Sequence, residues 1–223
     1  MLRFTALLFS YVLHPIFIIT YMLILLILIN PYLFGVNSIG DFEVKKLILL
    51  IFMSTVFIPG FAIGIMRATG LVSDTHMNKR EERYGPFITT GIFYLATFRY
   101  LLYFPVVPVA FKIFVLGSCI GLFVAFFINL WSKISLHAVG MGGLLGMIAI
   151  TMALFSYDSF IIPLSSYGTL HVSTVILLMV GIILAGIVGT SRLILEAHEP
   201  IDLYGGYMVG FVTQFIGLYF LYY

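Results

Sequence analysis

Apolar runs of roughly 18 or more residues recur along this chain from end to end, with short polar connections between them. That pattern constrains the fold more than any single motif. Lipid offers no water to a backbone N–H or C=O, so each run must satisfy its own backbone bonds, which an α-helix does. Of the 223 residues, 62% are hydrophobic and only 9% charged, too few polar groups to clothe a soluble domain of this size. The expected fold is therefore all-α: a polytopic transmembrane helical bundle of about six to seven spans, forming one integral membrane domain over 1–223.

The spans read as about Ala6–Ile29, Leu47–Met66, Pro86–Phe104, Val109–Leu130, Ser135–Phe155, Val172–Thr190, and Pro200 to the end of the sequence. Asn30-Pro31 closes the first, and its His14-Pro15 reads as a proline kink whose histidine faces neighbouring helices or headgroups. No small-residue cleavage pattern follows Arg3, so this run reads as a retained span rather than a removed signal peptide. Pro59-Gly60 interrupts the second span, and Pro86 is expected to open the third. Ser135 is the expected N-cap of the fifth. The stretch Ser156 to His171 reads as a polar-aromatic loop. Ala138, Gly142, Gly146, Gly206 and Gly210 recur at four-residue spacing, which lets membrane helices approach closely.

Charge and cysteine exclude several roles. The net charge of +2 is small and the basic residues are not clustered, which argues against a nucleic-acid partner. The single cysteine, Cys119, lies in an apolar run and reads as a packing residue.

Counting crossings places the loop after span two, the boundary after span four and the connection after span six on one face, with the N-terminus. The C-terminus lies opposite. Each of those connections feeds a helix start, at Pro86, Ser135 and Pro200. Helix N-termini present unpaired N–H groups and the positive end of the dipole, so three brought together form an anion site. Lys79, Arg80, Arg83, Lys133 and Arg192 fall in the same connections, as do His76, His137 and His198. Basic residues assign no sidedness: seven lie on this face against four on the other, but four of the seven belong to the candidate site.

The densest polar stretch is Ser191-Arg192-Leu193-Ile194-Leu195-Glu196-Ala197-His198-Glu199-Pro200-Ile201-Asp202, lodged between two apolar runs. Ionisable groups at a membrane boundary are expensive to desolvate, which makes such a cluster a candidate site. Arginine offers a planar fork to phosphate, and a neutral histidine can attack as a nucleophile when an acid holds its tautomer. Pro200 at the first helical position makes Glu199 the expected N-cap and sets Asp202 in the first turn, within reach of His198.

These twelve residues resemble the third signature of the type 2 phosphatidic acid phosphatase superfamily, SRxxxxxHxxxD, at every defined position. The second signature, PSGH, meets Ile134-Ser135-Leu136-His137, which keeps the serine and histidine in register but not the proline or glycine. The first, KxxxxxxRP, is the most altered: Lys79-Arg80-Glu81-Glu82-Arg83-Tyr84-Gly85-Pro86 keeps basic residues and the proline, without an arginine adjacent to it. The resemblance covers about Lys79 to Asp202.

The resemblance implies a membrane phosphatase acting on a phosphate monoester or pyrophosphate of a lipid, through a phosphohistidine, with no metal and no cofactor. Phosphatidate, phosphatidylglycerol phosphate, a polyprenyl pyrophosphate and a lipid A phosphate are the candidate substrates. By the same resemblance His198 is the nucleophile, Asp202 orients it and His137 protonates the leaving oxygen. Arg192, Ser191, Ser135 and Arg83, with Lys79 or Arg80, would hold the phosphoryl group. Its implied location is the plasma membrane of a bacterium. The altered first and second signatures also fit a weakened relative that binds or transports an anionic lipid. A metal-dependent hydrolase would need Asp74, His76, Glu81 or Glu82 with His198 and Asp202. Glu196 and Glu199 would repel an anion unless they point away or pair with a cation.

Overall fold

Proline decides where the first apolar run bends. Helix α1 (Leu2–Val12) stops one turn before Pro15, whose ring has no N–H to give and disfavours a helical residue ahead of it. His14 is accordingly extended, at φ −65° and ψ 137°, and a short 3₁₀ turn over Pro15–Phe17 restarts the chain into α2 (Ile18–Ile29). The second run bends for the same reason. Between α3 (Phe42–Phe52) and α4 (Ile58–Ala68) lies a π-helical turn, Met53–Phe57, just ahead of Pro59. The wider turn absorbs the missing N–H, and Thr55 Oγ1 donates to the Ile51 carbonyl at 2.7 Å.

The remaining helices are α5 (Tyr84–Leu102), α6 (Val109–Trp131), α7 (Leu136–Leu154), α8 (Thr174–Ile194) and α9 (Pro200–Tyr222). This computed structural model describes residues 1–72, 81–163 and 168–223. Among them, five helical runs are long and apolar enough to cross a membrane: Leu2–Ile29, Phe42–Ala68, Val109–Trp131, Leu136–Leu154 and Thr174–Ile194. The more polar α5 and α9, of 19 and 23 residues, pack into the same bundle. The protein is an all-α helical membrane protein.

Two expectations need correction. Helix α5 starts at Tyr84, after a 3₁₀ turn over Glu81–Arg83, so Pro86 is its third residue rather than its first. A proline is tolerated there because the first N–H groups of a helix have no partner anyway. The presumed loop after α7 contains a β-hairpin, β1 (Ser159–Pro163) antiparallel to β2 (Thr169–Ser173), with Phe160 opposite Val172 and Ile162 opposite Leu170. In β2 apolar Leu170 and Val172 alternate with Thr169, His171 and Ser173, a period of two that the helix-length reading overlooked.

Helix α9 lies on α6 and α7, parallel to α7 and antiparallel to α6, with an outward face that exposes Tyr204, Met208 and Tyr219. A Cβ on Gly206 would sit 2.7 Å from Ala138 Cβ and 2.8 Å from the Ser135 carbonyl, and one on Gly217 would sit 2.8 Å from the Ile113 carbonyl. Gly142 rests on the backbone of Tyr207 in the same way. Small residues at these positions thus serve close packing, as their spacing predicts. The apolar core lies between α2, α6 and α7, around Met22, Leu26, Phe111, Phe114 and Met141, with Cys119 buried in it.

The antiparallel order brings the start of α5, the α6–α7 boundary and the α8–α9 connection to one end. Arg83 reaches Asn129 there, and Arg3 reaches Glu196, so the N-terminus shares that end. Tyr222 stacks edge-on against Phe155 at the other end, beside the hairpin.

Candidate active site

Three helix starts shape the polar end. Ser135 caps α7 by accepting the N–H of Ala138 on its hydroxyl (3.4 Å). Glu199 and Asp202 form a reciprocal capping box at the start of α9, each side chain accepting the other's backbone N–H. The two caps are joined, because Ser135 donates its backbone N–H to the Asp202 carbonyl at 3.2 Å. Helix α8 ends at Ile194, and Glu196 then takes the left-handed conformation, φ 54°, that turns the chain back toward α9.

That turn delivers His198 against Asp202. Nδ1 of the imidazole lies 3.2 Å from Asp202 Oδ2, and the two side chains are only 7% and 8% exposed. A carboxylate only accepts, so Nδ1 carries the hydrogen and Nε2 is left with its lone pair. Burial holds the His198 pKa down at about 4, and Arg192 and Arg83 push the same way, while the hydrogen bond to Asp202 pulls against them. At neutral pH the imidazole is uncharged. Burial also lowers the pKa of Arg83, a shift that Asp202 opposes.

His198, Arg192, Arg83 and His137 line one cavity of about 450 Å³, with Lys133 at its rim. Arg83 donates from Nη1 to Asn129 Oδ1 at 3.4 Å. Arg192 Nε is buried and has no hydrogen-bond partner among the described residues. His137 Nε2 lies 3.1 Å from the Ser10 carbonyl. The inner end of the cavity is reached by Thr213 and by Gln214, itself 1% exposed, whose Oε1 also lacks a partner there. Comparison with protein-family models, curated proteins and solved structures found no match to this chain.

The four residues above and Asp202, which backs His198, are the sequence-derived candidates that meet at this cavity. Ser135 and Ser191 do not line it. The Ser135 hydroxyl is spent on its own helix cap, and Ser191 Oγ donates to the Ile187 carbonyl at 2.7 Å. Lys79 and Arg80 lie outside the described residues, as do Asp74 and His76. Among the described residues no group of three or more His, Cys, Asp or Glu is placed to hold a metal ion. The two unexplained carboxylates have separate fates: Glu196 pairs with Arg3 at 3.2 Å on an exposed surface, and Glu199 is committed to the α9 cap.

Sequence reasoning missed His14. It reads as a kink-side histidine, yet it lines the cavity and meets the His137 ring edge to face, centroids 5.0 Å apart. The available signal was its being the one histidine within the first apolar run, which carries no Asp, Glu, Lys or Arg.

Chemically, the cavity offers guanidinium donors for an anion, a neutral nucleophile of fixed tautomer, and a second histidine that can exchange a proton. Its size exceeds a lone phosphate and suits a phosphoryl group with part of a larger ligand.

Proposed function

We propose that the protein is a membrane phosphatase that removes phosphate from a lipid monoester or pyrophosphate through a phosphohistidine on His198. One observation carries the reading: the buried His198–Asp202 pair, at 3.2 Å, opens on a cavity shared with Arg83, Arg192 and His137. It agrees with the resemblance of residues 191–202 to the phosphatidic acid phosphatase signature.

In the first step His198 Nε2 attacks phosphorus, an N–P bond forms, and the bond from phosphorus to the lipid oxygen breaks. The leaving oxygen takes a proton that His137 relays to it from the phosphoryl group, which binds as a monoanion still carrying one proton. Arg192 and Arg83 hold the phosphoryl oxygens, whose charge they offset as the bond breaks. Asp202 keeps the Nδ1 proton and offsets the positive charge that the phosphorylated ring acquires. In the second step water attacks the phosphohistidine, the N–P bond breaks, inorganic phosphate leaves, and His198 is restored. His137 takes a proton from that water and passes it to the departing phosphate, which returns the ring to its neutral state. In this reading the site lies near the headgroups of a bacterial plasma membrane.

The test is phosphate release by purified protein from phosphatidate, phosphatidylglycerol phosphate, a polyprenyl pyrophosphate and a lipid A phosphate, with His198→Ala as control. Release from at least one, abolished in the variant, is expected. No release from any, or equal release by the variant, overturns the reading. Binding without turnover points instead to an anionic-lipid carrier.

A further inference from the structure

The first span breaks to bring His14 into the cavity, and the proposed phosphoryl transfer makes no use of it. Non-helical backbone at membrane depth persists only where it is buried in protein or lines a cavity, and the break at His14 does the latter. A histidine held inside an apolar run is expensive unless it has a purpose.

Three contacts from this span converge on the first two turns of α7. The Ser10 carbonyl lies 3.1 Å from His137 Nε2. The His14 ring meets the His137 ring at 5.0 Å with an interplanar angle of 83°. Pro15 leans on Gly140, where a Cβ would lie 3.3 Å from Pro15 Cα. Ser10 lies in the last turn of α1 and His14 just past its end, so the break lets a backbone carbonyl and a ring from the same span both meet His137. His14 is itself oriented: its Nδ1 accepts the N–H of Ile16 at 3.3 Å, which leaves its proton on Nε2.

A carbonyl oxygen can only accept. Nε2 of His137 therefore carries a hydrogen, and Nδ1 is the one ring atom free to exchange a proton with anything else. We propose that the first span is a positioning element for His137: the Ser10 carbonyl fixes its tautomer so that Nδ1 is the working atom, and the edge-to-face contact with His14 holds the plane of the ring. His14 is thus a positioning residue. Its effect on turnover rests on the phosphatase reading, whereas the tautomer of His137 does not.

The experiment uses the full chain in lipid nanodiscs with ¹⁵N-labelled histidine, His137 being assigned from the signal lost in His137→Gln. Wild type should show His137 protonated at Nε2 and bare at Nδ1. His14→Phe keeps an aromatic edge and should preserve that state. His14→Ala and His14→Gln should mix the two tautomers. In phosphate release, His14→Ala should lower kcat on the order of 10-fold with KM little changed, and add nothing to His137→Ala, while His14→Phe stays near wild type. If His14→Ala fails to fold, the Phe and Gln variants decide. A Nδ1-protonated His137 in wild type, an unchanged tautomer in His14→Gln and His14→Ala, or a rise in KM alone overturns the proposal. If no lipid is turned over, the phosphatase reading falls, and the ¹⁵N spectra alone decide this one.

Discussion

Ser135 donates its backbone N–H to the carbonyl of Asp202 at 3.2 Å, tying the first turn of α7 to the first turn of α9. His137 lies two residues beyond one partner and His198 four residues before the other. This link, with the glycine contacts below it, makes the separation of the two histidines a property of a packed helix pair rather than of loops.

Asp202→Asn should lower kcat for phosphate release by about 10²–10⁴-fold with little change in fold. Glu199 N–H and His198 Nδ1 both meet Asp202 Oδ2, so an asparagine amide oxygen in that place keeps the α9 cap. What the variant loses is the negative charge that offsets the phosphorylated ring. Steady-state kinetics beside a thermal melt separate the two effects. Equal losses of activity and of folded protein would assign Asp202 a purely structural role.

The pH dependence follows from His198, whose pKa is held down at about 4 chiefly by burial. The acid limb of kcat/KM should therefore lie well below the ordinary histidine range. In Asp202→Asn it should move lower still, because the carboxylate charge that raises the pKa is gone. Stability has the matching sign. The folded pKa is below the unfolded value of 6.5, so the unfolded chain takes up the proton first. The contribution is fully present above about pH 6.5 and is lost as pH falls toward 4. Melting midpoints of wild type and His198→Gln between pH 7 and 4 check it: the wild type should lose more over that interval.

Arg192→Lys should weaken binding of a phosphate analogue such as orthovanadate by about 10-fold or more, which corresponds to losing one charge-assisted bond worth roughly 1.5–3 kcal/mol. Lysine keeps the charge but not the planar fork, and the buried Arg192 Nε has no other partner among the described residues to lose. Titration calorimetry measures the change, and wild-type affinity in the variant would remove Arg192 from the anion site.

Gly206→Ala should destabilise the protein by about 1–3 kcal/mol, the usual range for overpacking. The added Cβ would meet Ala138 Cβ at 2.7 Å and the Ser135 carbonyl at 2.8 Å, atoms that cannot step aside without shifting α7. Gly205→Ala is the control. Nothing lies within 4 Å of its Cβ, and alanine is the better helix former. Unfolding midpoints in detergent should drop for the first and hold or rise for the second.

Residue spacing was enough for the helical runs, the Ser135 and Glu199 caps, the packing glycines and the reach of Asp202 to His198. Each depends on neighbours within a few positions, or on apolar length alone, and such local rules are written directly in the chain. The pairing of β1 with β2 and the early start of α5 escaped because short apolar stretches fit more than one local structure.

The tertiary structure decided which polar groups share a space. It drew His14 beside His137 across 123 positions, sent the hydroxyls of Ser135 and Ser191 back into their own helices, and paired the carboxylate of Glu196, a residue at the cavity, with Arg3. Periodicity says which face of a helix is buried, but not which neighbour buries it. That choice comes from side-chain packing between distant segments, set here by glycines that let α9 rest directly on the backbones of α6 and α7.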